Sequence, residues 1–120
     1  MIKTTLRTHL WFETPSGMFF GMGRVLLILK VKELGSLNKA AKELGMSYRA
    51  AWGKIKASEE ALGKPLLVKV EGRKGFVLSD MAETLVKEFC AWHQDVETYA
   101  LKQAQKNFPW KIETFAKGTE

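Results

Sequence analysis

Cysteine is almost missing: Cys90 stands alone in 120 residues. A lone cysteine excludes an intrachain disulfide and argues against a cysteine-based metal site. On a helical pattern it is expected to act as a small hydrophobe. Histidine is nearly as scarce. His9 and His93 lie far apart in the sequence, so no metal is expected. Long apolar runs are absent too. Val25–Leu29 stops at Lys30, far short of the roughly 20 residues that span a bilayer. No apolar stretch follows Lys3, so no signal peptide is read and the cytoplasm is the expected compartment. Gly21-Met22-Gly23 is too short for a phosphate-cradling loop and precedes the wrong pattern. Ser36, Ser47 and Ser79 have no histidine in a matching context, which argues against a nucleophile. The expectation is a protein with no catalytic residues, no cofactor and no membrane partner. There is no low-complexity segment or tandem repeat.

What is present suits a globular chain. Hydrophobic residues make up 46% and charged residues 27%, which is ordinary for a folded domain. The length suits one domain over residues 1–120. The formal net charge of +6 points to a polyanionic partner only if the charge is concentrated in one place.

The pattern begins with Thr5–Glu13. Leu6, Thr8, Leu10 and Phe12 alternate with Arg7, His9, Trp11 and Glu13, as in a half-buried strand. Pro15-Ser16-Gly17 is a turn, and Met18–Phe20 can return as a second strand, giving a hairpin over residues 5–20. Trp11, facing outward, either covers a partner or lies over the hairpin. Arg24–Leu34 carries Val25, Ile28 and Val31 at helical spacing. Gly35 is a C′ stop, and Ser36 an N-cap for a short helix, Leu37–Leu44, burying Ala40, Ala41 and Leu44. Gly45 stops that helix, and Ser47 caps a third, Tyr48–Leu62, which Gly63 and Pro65 end. Leu66–Val70 and Phe76–Leu78 flank a charged loop, residues 71–75, as a hairpin with a basic tip. Ser79 caps a last helix, residues 80–105. Along it Ala82, Leu85, Phe89, Trp92, Val96, Tyr99 and Gln103 form a heptad seam. Leu85, Phe89, Trp92, Val96 and Tyr99 are therefore candidate dimer contacts rather than a ligand cage. The tail, residues 106–120, reads as irregular, with Trp110, Ile112 and Phe115 free to dock.

The expected fold is mostly α with a small β content: a winged helix-turn-helix with an N-terminal β-hairpin and a long C-terminal dimerisation helix. Residues 24–62 form its three-helix unit, residues 37–62 the helix-turn-helix and residues 66–78 the wing. The alanines on both sides of the turn keep the two helices close. In the third helix Ala51, Ile55, Ser58 and Leu62 make the buried stripe, leaving Tyr48, Arg49, Trp52, Gly53 and Lys56 outward. That is the surface a recognition helix sets into a major groove. Trp52 has a second reading, as a ring packed under the first strands or the wing. Charge is placed to match. Residues 37–56 carry Lys39, Lys42, Arg49, Lys54 and Lys56 against Glu43, a net of +4. Residues 63–75 carry Lys64, Lys69, Arg73 and Lys74 against Glu71, a net of +3, whereas residues 80–106 have five acids and three bases. Phosphate neutralisation requires such a distribution.

The run GSLNKAAKELGMSYRAAWGKI, residues 35–55, resembles the N-terminal winged helix-turn-helix of LysR-type regulators. It is more closely similar to the DNA-binding domain of the ModE family of molybdate-responsive regulators. Gly35-Ser36, Ala40-Ala41, Gly45-Met46-Ser47-Tyr48 and Ala51-Trp52 carry the resemblance. Val77-Leu78-Ser79 before a long helix and the LWFE strand add to it, and it covers about residues 5 to 105. It implies a transcriptional regulator that binds double-stranded DNA as a homodimer. The dimer would join through the last helix and read a pseudo-palindrome. Ser47, Tyr48, Arg49, Trp52 and Lys56 would be recognition-helix contacts, with Arg73 and Lys74 on phosphate from the wing; Lys54 adds to the basic surface. The wing has fewer glycines than the ModE pattern, and Ala82 stands where that family has glycine. Separate molybdate-binding domains are not expected within these 120 residues, and no effector is implied. Two other classes fit the residues: a winged-helix protein-interaction module and a dimeric oxyanion (molybdate) sensor.

Overall fold

The computed structural model describes residues 2–115. In chain order the elements are β1 (Lys3–Leu6), β2 (Trp11–Thr14), β3 (Gly17–Gly21), α1 (Met22–Leu34), α2 (Leu37–Glu43), α3 (Tyr48–Leu62), β4 (Leu67–Lys69), β5 (Phe76–Leu78), α4 (Asp80–Asn107) and β6 (Lys111–Thr114). The helix boundaries follow the glycines and serines. Gly35 closes α1 with φ 71°, its N–H bonded to Val31 O at 2.7 Å, and Gly63 closes α3 with φ 72°. Ser36 Oγ accepts from Lys39 N at 3.1 Å, Ser47 Oγ from Ala50 N at 3.0 Å and Ser79 Oγ from Ala82 N at 3.1 Å. Each cap satisfies an amide the helix cannot.

Two compact units divide the chain. The first is Leu10–Phe89; the second is made from Met1–His9 and Cys90–Glu120. In the first, α1 buries Val25, Leu27, Ile28 and Val31, α2 buries Leu37, Ala40 and Ala41, and α3 buries Ala51 and Ile55. Leu66, Leu67 and Leu78 close the core from the strands, and Ala82, Val86 and Phe89 from α4. Each large apolar side chain buried here contributes about 1.5–3 kcal/mol relative to exposure. Phe20 meets Phe89 edge to face, with centroids 5.7 Å apart. Lys30 joins α1 to α2, 2.9 Å from Glu33 and 3.0 Å from Glu43. Those hydrogen bonds, Glu33 first, hold its ammonium above the ordinary lysine pKa. The pair is solvent-exposed and adds little stability.

Among the described residues Arg24 is the one buried arginine or lysine. Arg24, in the first turn of α1, is 5% exposed. Its Nη1 donates to Phe19 O at 2.9 Å, to Lys54 O at 2.7 Å and to Ser58 Oγ, and Ser58 Oγ donates to Phe19 O. Burial pushes the guanidinium pKa below its usual value, but arginine stays charged in proteins. Among the described residues no carboxylate pairs with it. Neutral oxygens satisfy it, and they come from β3 and α3.

The second unit is built on a parallel pair. Lys3, Thr4, Thr5 and Leu6 of β1 stand opposite Lys111, Ile112, Glu113 and Thr114 of β6. Thr4 Oγ1 donates to Lys111 O at 2.9 Å, Lys3 pairs with Glu113 at 3.2 Å, and Ile112 is buried. His93 Nε2 lies 3.0 Å from Thr8 O, and the Arg7 guanidinium sits 3.7 Å over the Phe115 ring. Two sequence expectations change here. Thr5–Glu13 is not one strand: it breaks after Leu6 and resumes at Trp11, because β1 pairs with β6 and β2 with β3. The tail is not wholly irregular, since residues 111–114 form β6; residues 116–120 lie outside the described residues. Alternation still runs from Thr4 to Leu10, whose even-numbered side chains are the less exposed. Among the described residues no helix is long and apolar enough to cross a membrane.

Replacing Arg24 with methionine keeps much of the volume but strips Phe19 O and Ser58 of their charged donor. Arg24→Met should cost about 1–3 kcal/mol of unfolding free energy in urea. A loss below about 0.5 kcal/mol would show that packing alone holds α3 to β3.

Candidate nucleic-acid interface

Α short turn aims α3. After α2, Gly45 takes φ 73°. Its N–H reaches Lys42 O at 3.2 Å, while Met46 N reaches Ala41 O at 2.9 Å. These are the two bonds of a Schellman stop. Ser47 then caps α3, so the chain restarts a helix two residues after the glycine. Ala40, Ala41 and Ala51 are buried on the two helices that flank this turn, and side chains this small let helices pack close.

At about 100° per residue, the buried stripe of Ala51, Ile55 and Ser58 puts Arg49, Gly53 and Lys56 on the far side of α3, all exposed. Arg49 has no hydrogen-bond or ion-pair partner among the described residues, and the same is true of the side chains of Lys54, Arg73 and Lys74. Lys56 is partly engaged. Its Nζ lies 4.7 Å over the Trp52 ring and 3.5 Å from Glu59. Lys54 stands on the flank of the helix, and its carbonyl is the one Arg24 holds. Ser47 spends an oxygen lone pair on its cap.

Trp52 is half-buried on the side facing the wing. Its ring stacks on Tyr48 at 6.5 Å and 6°, and lies 6.0 Å from Phe76 of β5. Of its two sequence readings, packing against the wing is what the geometry presents. Tyr48 remains 47% exposed.

The wing is β4 and β5, antiparallel with Leu67 opposite Leu78. Arg73 and Lys74 are exposed at its tip. Three ties hold it to the helices. Glu59 Oε2 accepts from Leu66 N at 2.7 Å and Leu67 N at 3.2 Å. Ser79 Oγ donates to Pro65 O at 2.8 Å. Phe76 N reaches Gly35 O at 3.4 Å, and the backbone there is so close that a Cβ on Gly75 would stand 2.1 Å from Gly35 O. The sequence reading missed Glu59 and the Gly75–Gly35 approach. Arg24 offered a signal, a lone cation at the head of an apolar helix; Glu59 offered none. Among the described residues no group of three His, Cys, Asp or Glu could hold a metal.

The seam of α4 divides by burial. Phe89 is 4% exposed and belongs to the core of its own unit, Leu85 and Val96 are half-buried, and Trp92 and Tyr99 are exposed, Tyr99 at 65%. Leu26 and Leu29 of α1 are exposed as well.

Comparison with known proteins agrees with this architecture. The family model for the bacterial regulatory helix-turn-helix proteins of the lysR family matches residues 23–83. The molybdenum-pterin-binding protein MopB of Rhodobacter capsulatus is 34% identical over 79 residues, 63% of this chain and 29% of that protein. The transcriptional regulator ModE of Haemophilus influenzae is 32% identical over 81 residues, 65% of this chain and 32% of that protein. The chain therefore spans about a third of the length of these relatives. The crystal structure of a complex of the CbnR DNA-binding domain with DNA superposes with a TM-score of 0.56 at 18% identity, covering 72% of this chain and 97% of that one. At that identity the likeness is one of fold.

Gly75 and Gly63 both need a left-handed backbone, at φ 91° and 72°, but a Cβ at Gly63 meets nothing within 4 Å. Gly63→Ala should therefore cost only the backbone term, about 1–2 kcal/mol. Gly75→Ala must also move the wing off Gly35 and should cost clearly more in the same urea titration. Equal losses would mean that the wing shifts freely.

Proposed function

Because the chain belongs to the lysR family of bacterial regulatory helix-turn-helix proteins, we propose that it is a bacterial transcriptional regulator that binds double-stranded DNA as a homodimer in the cytoplasm. The observation that carries this reading is Arg49: exposed, unpaired among the described residues, one turn or less from the N-terminus of α3, on the face away from the core. The first turns of a recognition helix are those that reach base edges. Arginine there matches the O6 and N7 acceptors of guanine with two parallel donors. Tyr48, Ser47 and Lys56 flank it. Trp52 supports Tyr48 from the wing side and offers its edge to the groove. Arg73 and Lys74 at the wing tip, with Lys54 on the flank, would neutralise phosphates and set register rather than read sequence. The relatives named for transcriptional regulation and the fold shared with a DNA-bound domain support the same reading.

In the proposed homodimer α4 pairs with its copy along Leu85, Trp92, Val96 and Tyr99, with Phe89 backing the seam from within its own unit. Two recognition helices then face a pseudo-palindrome whose half-sites lie roughly 34 Å apart, or a multiple of that. Selecting bound duplexes from a random pool tests the whole reading: a palindrome is expected. Failure to retain any duplex at low salt would overturn it. Salt-insensitive binding to a protein instead would turn the winged helix into an interaction module.

Arg49→Ala should weaken binding to the selected site by about 1–3 kcal/mol and change binding to scrambled duplex much less. An equal loss on both would make Arg49 a phosphate contact. Sedimentation at micromolar concentration should give a dimer for the wild type and a monomer for Val96→Glu. A monomeric wild type would remove α4 as the joining element.

A further inference from the structure

Nine glycines fall in the described residues, and seven have a reason inside the protein. Six adopt positive φ, and at Gly21 a Cβ would strike Trp11 Cβ at 2.9 Å. The remaining two are Gly23 and Gly53, where a Cβ would meet nothing within 4 Å. Gly23 is the second residue of α1, in a first turn whose amides lack helical partners in any case. Gly53 is different. It is the sixth of fifteen residues in α3, in the helix interior, where glycine is the poorest choice after proline. Its φ is not among the positive values, so alanine would fit the backbone without strain. Nothing in the fold asks for glycine at this position, and the helix is weaker for having it.

Its placement shows what it could serve. Gly53 follows Arg49 by four residues and precedes Lys56 by three, on the face turned away from Ala51, Ile55 and Ser58. Both flanking residues are cationic, and the Arg49 side chain has no partner among the described residues. Between two long basic side chains the helix thus presents bare backbone. Glycine recurs where a backbone must come close to a ligand, and a helix seated in a major groove is such a case.

We propose that Gly53 is the close-approach point of this chain on double-stranded DNA. There the α3 backbone rests in van der Waals contact with the nucleic acid, and Arg49 and Lys56 reach past it on either side. The depth at which α3 sits in the groove, and so the reach of Arg49, is set by the missing side chain. This inference rests on the DNA-binding reading above and adds to it a residue with no functional group.

The test sets stability against binding. Gly53→Ala should raise the melting temperature by about 2–5 °C, since alanine favours the helix and meets no neighbour. The same variant should bind the duplex selected by the wild type about five- to a hundredfold more weakly, the range that overpacking a close contact produces. Gly53→Leu should lose more. Loss confined to the selected duplex places the contact on a base edge, and equal loss on scrambled duplex places it on the sugar–phosphate backbone; either supports close approach. Binding by Gly53→Ala equal to or tighter than wild type overturns the inference and leaves the DNA-binding reading standing. A lower melting temperature overturns it too, because the helix would then need glycine for itself. If the wild type retains no duplex, both fall together.

Discussion

The Arg24 guanidinium can be buried only where oxygens surround it, and the fold supplies them from two other segments. Phe19 O comes from β3, and Lys54 O and Ser58 Oγ come from α3. Water could not replace these partners at a site this enclosed, so an Arg24 without them would leave a charge uncompensated. The bond set therefore couples the rotation of α3 to the position of the β2–β3 hairpin and the start of α1. With Ser58 turned inward to meet Arg24, the opposite face of α3 must turn outward. Arg49, Gly53 and Lys56 are exposed in part because Ala51, Ile55 and Ser58 are held in.

The wing depends on α3 in a similar way. Glu59 lies one position after Ser58, and its carboxylate holds the amides of Leu66 and Leu67. Trp52 fills the angle between α3 and β5, and Gly75 lets the far strand touch the end of α1. The apolar ring and the backbone contacts carry the packing, while Arg73 and Lys74 at the tip and Arg49 and Lys54 on α3 keep side chains without a hydrogen-bond or ion-pair partner among the described residues. A surface that must meet a polyanion works in this way only if its charges are not already spent on carboxylates. Among the described residues the other ion pairs of the first unit lie elsewhere, at Lys30 and Lys32, and of the cations on α3 and the wing tip Lys56 alone pairs with an acid.

Much of the helical frame could be read before any coordinates. Gly35-Ser36 and Gly45-Met46-Ser47 mark stop and restart because left-handed backbone and side-chain caps are local requirements, met by residue type alone. The buried stripe of α3 was legible for the same reason: spacing of three and four has one meaning on a helix. Strand pairing was less legible. Thr5–Glu13 alternates correctly in its first half, yet alternation does not say which strand lies alongside, and β1 and β2 take different partners. β6 escaped because a four-residue strand following Asn107-Phe108-Pro109 has too little pattern to announce itself. Trp52 was ambiguous because a large ring beside a recognition surface can face either way until Phe76 is seen next to it.

The amino-acid order alone determined where α1 and α3 end, where α2 and α3 begin, which of their faces is apolar and where the positive charge is gathered. These depend on neighbours within about one or two turns. Only the tertiary structure decided that Arg24 is buried, that Glu59 ties down the wing, that Phe89 belongs to its own unit's core, and that Gly53 has nothing to avoid. Each of those depends on atoms distant in sequence, and for Gly53 on their absence, so no local pattern could carry the information.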